Sequence, residues 1–172
     1  QDSSSAASDV YKRQNFYKLC HFQSKIKIIM NASANVRNLD IANKIASTAT
    51  LFRRYFPEAK VDFSPWDNSN QNEWLDTLDF SFHFPGWSPC MECRAILLQL
   101  RIDNNDQEGE PKLLGIIMRG MILPKERWRV ATVGEWEMTG SHPPQNVQKD
   151  NLFQVCKELY KLFSTTSSSN KK

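Results

Sequence analysis

The stretch that most restricts the fold is residues 78–84, Leu-Asp-Phe-Ser-Phe-His-Phe, where apolar and polar side chains alternate without a break. A period of two belongs to a strand with one face in a core and the other toward water. Pairing slipped by one residue would turn three phenylalanines outward, so the register is strongly specified. Three more runs with strand character follow, at 95–102, 113–121 and 127–136. Their inward rows are expected to be Phe80, Phe82 and Phe84; Ile96, Leu98, Leu100 and Ile102; Leu114, Ile116 and Met118; and Trp128 and Val130, with Trp136 as a further member. Residues 103–111 read as a loose acidic hairpin loop containing Gly109, and the other connections are short. Short connections favour antiparallel neighbours.

Such a sheet needs a cover. Ile41, Ile45, Ala49, Phe52 and Phe56 recur at helical spacing, and Leu39, Ala42 and Ala46 widen the stripe. Asn38 or Asp40 caps the start and Pro57 ends the helix. A second helix is expected at 149–163, with Leu152, Val155, Cys156, Leu159 and Leu162 or Phe163 on one face. Residues 60–63 read as a short strand and 64–72 as a loop containing an Asn-rich run. The expected class is therefore α+β: an antiparallel sheet of four to five strands with an N-terminal and a C-terminal helix packed on it. The domain is expected to occupy 30–163 as a single core, with a disordered polar tail at 164–172.

The start of the chain changes how its charge is read. Residues 4–14, Ser-Ser-Ala-Ala-Ser-Asp-Val-Tyr-Lys-Arg-Gln, are the translation of a transposase-based sequencing adapter. Residues 15–29 are then expected to be translated upstream DNA, with Met30 as the start. Residues 1–29 carry five of the 22 basic residues and two of the 19 acidic ones, so what remains is neutral. A neutral chain has no electrostatic footprint for nucleic acid or an anionic membrane, and neither is expected as a partner. Cys90, Cys93 and Cys156 are the cysteines after Met30. An odd count without a secretion signal suits a cytoplasmic setting rather than a disulfide framework.

Residues 87–93, Trp-Ser-Pro-Cys-Met-Glu-Cys, carry the strongest chemical motif. The string resembles the W-S-P-C-x-x-C segment of the polynucleotide cytidine deaminases. That resemblance implies zinc on Cys90 and Cys93, with an upstream H-x-E or C-x-E supplying a third ligand and the general acid/base. The chain departs from the pattern there: two places on from His21 stands Gln23, from His83 Pro85 and from Cys20 Phe22. Cys156-Lys157-Glu158 lies downstream, on the apolar stripe of a helix. Without a glutamate beside an activated water, deamination is not expected. A structural zinc would need two more ligands from His83, His142 or Cys156, and a redox pair of the thioredoxin kind would need Cys90 at a helix N-terminus. The plainer reading has residues 85–89 as a turn and both cysteines as small semi-buried residues. No cofactor is expected, with zinc as the alternative; a zinc- or thiol-dependent enzyme centred on Cys90 and Cys93 is the competing function.

Residues 83–101 together with 127–145 resemble a small cyanobacterial protein family of unknown function. The resemblance implies a cytoplasmic protein without an assigned activity. The favoured reading is a non-catalytic binding or assembly accessory factor with a protein partner. Its surface is expected to combine Trp87, His83, Arg101 and Arg119, with Trp66 and Trp74 at the rim, because exposed aromatics beside arginines have hot-spot composition. The bland competitor has the tryptophans in the core and the arginines merely solvated. Glu135 and Glu137 read as the wet side of the last strand.

Overall fold

A computed structural model of the chain describes residues 31–36, 38–65, 77–103 and 112–164. All of them belong to one compact unit, Met30–Asp67 with Leu75–Lys172. The expectations for the leader, for Trp66 and Trp74, for most of the acidic loop and for the tail beyond Ser164 lie outside the described residues.

The phenylalanine alternation is where the architecture starts. Helix α1 (Leu39–Tyr55) precedes β1 (Lys60–Asp62), β2 (Thr77–Ser88), β3 (Cys93–Asp103), β4 (Lys112–Ile122), β5 (Lys125–Ala131), β6 (Glu137–Gly140) and helix α2 (Asn146–Ser164). The strands lie in sequence order in one open sheet, and every neighbouring pair is antiparallel. The class is α+β, as expected, but the sheet has six strands rather than four to five. The extra strand lies just beyond the run expected at 127–136, whose second half is not strand. There the chain leaves β5 after Ala131, turns through Gly134 at φ 83, and returns as β6. Glu135 therefore lies in a turn, and Glu137 opens β6.

Leu78, Phe80, Phe82, Ile96, Leu98, Leu100, Ile116, Met118, Trp128 and Val130 are buried on one face of the sheet, with both helices against them. Phe52 of α1 stacks on Phe82 with ring centroids 3.7 Å apart. Asn38 caps α1, its Oδ1 accepting from the Ile41 N–H at 2.8 Å. Lys44 lies over the Phe163 ring near the start of α1, while Arg54 at its end meets Glu158, so the helices run in opposite senses.

Two expected core members sit elsewhere. Leu114 is 46% exposed and Leu113 is buried in its place, because the β3–β4 register shifts after Arg101 and turns the strand by one residue. Gly115, opposite Arg101, has no room for a Cβ, which would lie 2.6 Å from Val133. Trp136 is 40% exposed and stacks on Tyr160 of α2 at 5.6 Å instead of joining the Trp128 row.

Candidate functional site at the Trp87 turn

Two breaks in the ladder create the site. Between the pairs His83–Ala95 and Ser88–Cys93, residues 84–87 of β2 face the single residue Arg94 of β3. Between Gly120–Trp128 and Met121–Glu126, Arg127 has no partner across the ladder. Bulges bend a strand and re-aim its side chains. Here they bring together Trp87 and Arg127, residues forty positions apart in the chain. The Arg127 guanidinium lies 5.6 Å from the centroid of the Trp87 ring, and its Nη2 donates to Glu92 Oε2 at 3.0 Å.

The turn carrying Glu92 is held from several sides. Residues 89–92 connect β2 to β3, and the Met91 N–H donates to the Ser88 carbonyl. Glu92 takes φ 53, a left-handed conformation uncommon outside glycine. The Trp128 indole N–H donates to the Met91 carbonyl at 2.6 Å, wholly within the core. The Gln145 N–H donates to the Cys90 carbonyl at 3.0 Å. Trp128 reaches the turn because Gly120 opposite it has no side chain; a Cβ there would stand 2.1 Å from the indole. The result is a rigid mount for a surface aromatic. Trp87 is 40% exposed, while Met91 beneath the turn is buried.

A cleft of about 380 Å³ opens along the same backbone, lined by His83, Pro85, Gly86, Arg94, Met121 and Leu123 among others. His83 is exposed and its Nε2 lies 2.9 Å from Ser81 Oγ. Leu123 is 68% exposed. Arg119 lies on the same sheet face as His83, near Glu126 at 3.8 Å, and Arg129 holds that carboxylate with both ends of its guanidinium.

Arg101 does not belong to this group. It pairs with Thr77 at the far end of β2, eight positions along β3 from Cys93, which is roughly 26 Å of strand. Of the four residues expected to share a surface, Trp87 and His83 lie toward one end, Arg119 pairs with Leu97 midway along β3, and Arg101 marks the other end. Arg127, Arg94 and Glu92 complete the site; the sequence points to Arg127 only as one of four arginines, with Arg101, Arg119 and Arg129, on one side of the sheet, and to Arg94 and Glu92 not at all.

Cys90 and Cys93 occupy a β-hairpin, not a helix N-terminus, and neither is in a disulfide. Cys93 is fully buried, and that burial pushes its thiol up to about 12, although backbone N–H groups of Met121 and Ala95 partly offset the effect. Cys90 is half-buried, its Sγ 3.4 Å from Ser88 Oγ. Cys156 is buried in α2, where burial likewise raises its thiol to about 12. Among the described residues, no three His, Cys, Asp or Glu side chains gather as a metal cage.

A larger hollow, about 780 Å³, lies between the outer sides of the two helices, with Ser47, Thr50 and Arg54 facing Gln154, Glu158 and Lys161. Its carboxylate is already engaged: Glu158 accepts from the Tyr55 hydroxyl and from Arg54. Among the described residues, no helix is long and apolar enough to cross a membrane.

Fold and site together describe a two-layer α+β domain that presents a braced aromatic and arginine cluster at one end of an open sheet. The chain belongs to a family defined by a domain of unknown function, whose model matches residues 33–165. No curated protein and no solved structure matches it.

Proposed function

We propose that this chain is a non-catalytic binding domain and that its protein partner docks at the Trp87 end of the sheet. The observation that carries the reading is the pairing of half-exposed Trp87 with Arg127 on a turn braced by Glu92, Trp128 and Gln145. Tryptophan and arginine dominate binding hot spots. A mount that is already rigid loses little conformational entropy on association, which favours affinity. The adjoining cleft adds apolar surface at Leu123 and Met121, and a cation at Arg94, for which the described residues supply no ion-pair partner within 4.0 Å. The fitting docking segment places an apolar side chain beside Trp87 and a carboxylate against Arg94. A cytoplasmic setting accords with three free thiols among the described residues.

The test is capture by the immobilised full chain, compared with a Trp87→Ala, Arg94→Glu double variant and with an Arg101→Ala control. The double variant should stay folded, melting only slightly below the wild type, and lose a partner that the wild type and the control both retain. A folded double variant that recovers every partner would remove the surface from consideration.

A further inference from the structure

We propose that Cys90 and Cys93 form a reversible dithiol–disulfide site for low-molecular-weight disulfides, with Cys90 as the attacking thiol and Cys93 as the resolving one. The pair lies in the turn that mounts Trp87, but its chemistry does not rest on the docking reading. It rests on how the hairpin places the two sulfurs. Cys90 Sγ lies 3.4 Å from Ser88 Oγ. Ser88 stands directly across the ladder from Cys93, and side chains facing each other in an antiparallel pair have Cβ atoms about 4.5–5.5 Å apart. Ser88 thus ties Cys90 to the neighbourhood of Cys93 from the opposite strand. The connection itself is short, and residues three apart in a tight turn have Cα atoms within about 7 Å, close to the span a disulfide bridges.

The unequal burial of the pair suits a division of labour. Cys90 is half-buried and open to a small reagent, whereas Cys93 is enclosed. An oxidisable cysteine is commonly reachable and poised beside a second thiol that resolves the first product. The chemistry balances as two thiol–disulfide exchanges. Cys90, having given its proton to water, attacks one sulfur of the reagent; the reagent's S–S bond breaks and one thiolate leaves. Cys93 then loses its proton and attacks the Cys90 sulfur of the mixed disulfide, expelling the second thiolate. Both protein thiols are oxidised, one reagent disulfide is reduced to two thiols, and the two protons end on those thiols. Because Cys93 is enclosed, resolution is the slower step and quickens as pH rises. Cys156 provides an internal contrast: it is buried in α2, outside the hairpin.

The probe is oxidised glutathione, added to the reduced full chain and followed by intact mass and peptide mapping, which separates Cys20 and Cys156 from the pair. Expected is a species lighter by two hydrogens, bridged between Cys90 and Cys93 and returned to the dithiol by dithiothreitol. In Cys93→Ser the reaction should stop at a glutathione adduct on Cys90, and in Cys90→Ser the pair should not react. Cys93→Ala gives the same reading if the serine variant does not fold. A glutathione adduct on Cys90 that persists in the wild type would overturn the proposal. So would two thiols that stay reduced in the folded chain, or a bridge between two chains.

Discussion

The Trp87 turn and the outer side of the helix pair are both polar clusters built around one carboxylate, and they differ in what water can reach. At the turn, Trp128 gives its hydrogen bond to Met91 inside the core, and the Arg127 side chain beside Glu92 is only 16% exposed. Between the helices, Glu158 is met by an Arg54 side chain that is 65% exposed. A buried donor or acceptor that loses its partner cannot fall back on water, so its removal is costly. An exposed ion pair exchanges one set of solvated contacts for another and contributes little. The turn should therefore respond to single substitutions as a unit, and the helix groove should tolerate them.

The largest effect is expected at Gly120. A Cβ there would meet three atoms of the Trp128 ring at 2.1–2.6 Å, so Gly120→Ala must displace the indole from Met91. Overpacking of this kind costs about 3 kcal/mol, measurable by urea denaturation. Trp128→Phe retains a smaller aromatic ring but leaves the Met91 carbonyl without its donor, at about 2 kcal/mol. If Gly120→Ala were neutral, the turn would not depend on that ring and the contrast with the helices would fail. Arg127→Ala removes the cation over Trp87 and the pair with Glu92, both partly solvated, and should cost about 0.5–1 kcal/mol. Arg54→Ala, on the helix side, should change stability by less than about 0.5 kcal/mol.

The elements that follow a single period were legible from the chain. The phenylalanines of β2 and the stripes of both helices needed only spacing, and Asn38 needed only its place before the first helical turn. What escaped depends on the partner strand. Arg127 reads as one of four arginines on one side of the sheet, with Arg101, Arg119 and Arg129, until the ladder shows that it has no opposite number. Leu113 and Leu114 are adjacent leucines, and only the register shift in β3–β4 decides which is inside. Gly115 and Gly120 were the available signal, since glycine within a strand marks a bulge or a close approach; both turn out to make room for a side chain on a neighbouring segment. Trp87 is found by its type, but the sequence points to Arg101 or Arg119 as its cation, because spacing along one strand does not say which end of the sheet another arginine reaches. The sixth strand, Glu137–Gly140, is four residues without alternation and follows a turn whose Gly134 alone hints at reversal.

The smallest predicted effect is visible only as a function of pH. The Tyr55 hydroxyl donates to Glu158, and this bond, with help from Arg54 and against some burial, holds the carboxyl below its ordinary range. The same bond, followed by burial and the Glu158 charge, raises Tyr55 above 10.0. A carboxyl with a lowered folded pKa contributes stability above its unfolded value and loses it as pH falls through the folded one. A tyrosine with a raised folded pKa favours the folded state while neutral; its contribution is present below the unfolded value and disappears as pH rises through the folded one. One hydrogen bond therefore fades on both sides of neutrality. Tyr55→Phe should melt below the wild type near neutral pH, and the two curves should converge in strong acid and again in strong alkali. Added salt should narrow the gap only slightly, since the bond is short-ranged, whereas it should erase whatever Arg54→Ala costs. A gap that stays constant from acid to alkali would mean that Tyr55 acts by packing against α2 and not through Glu158.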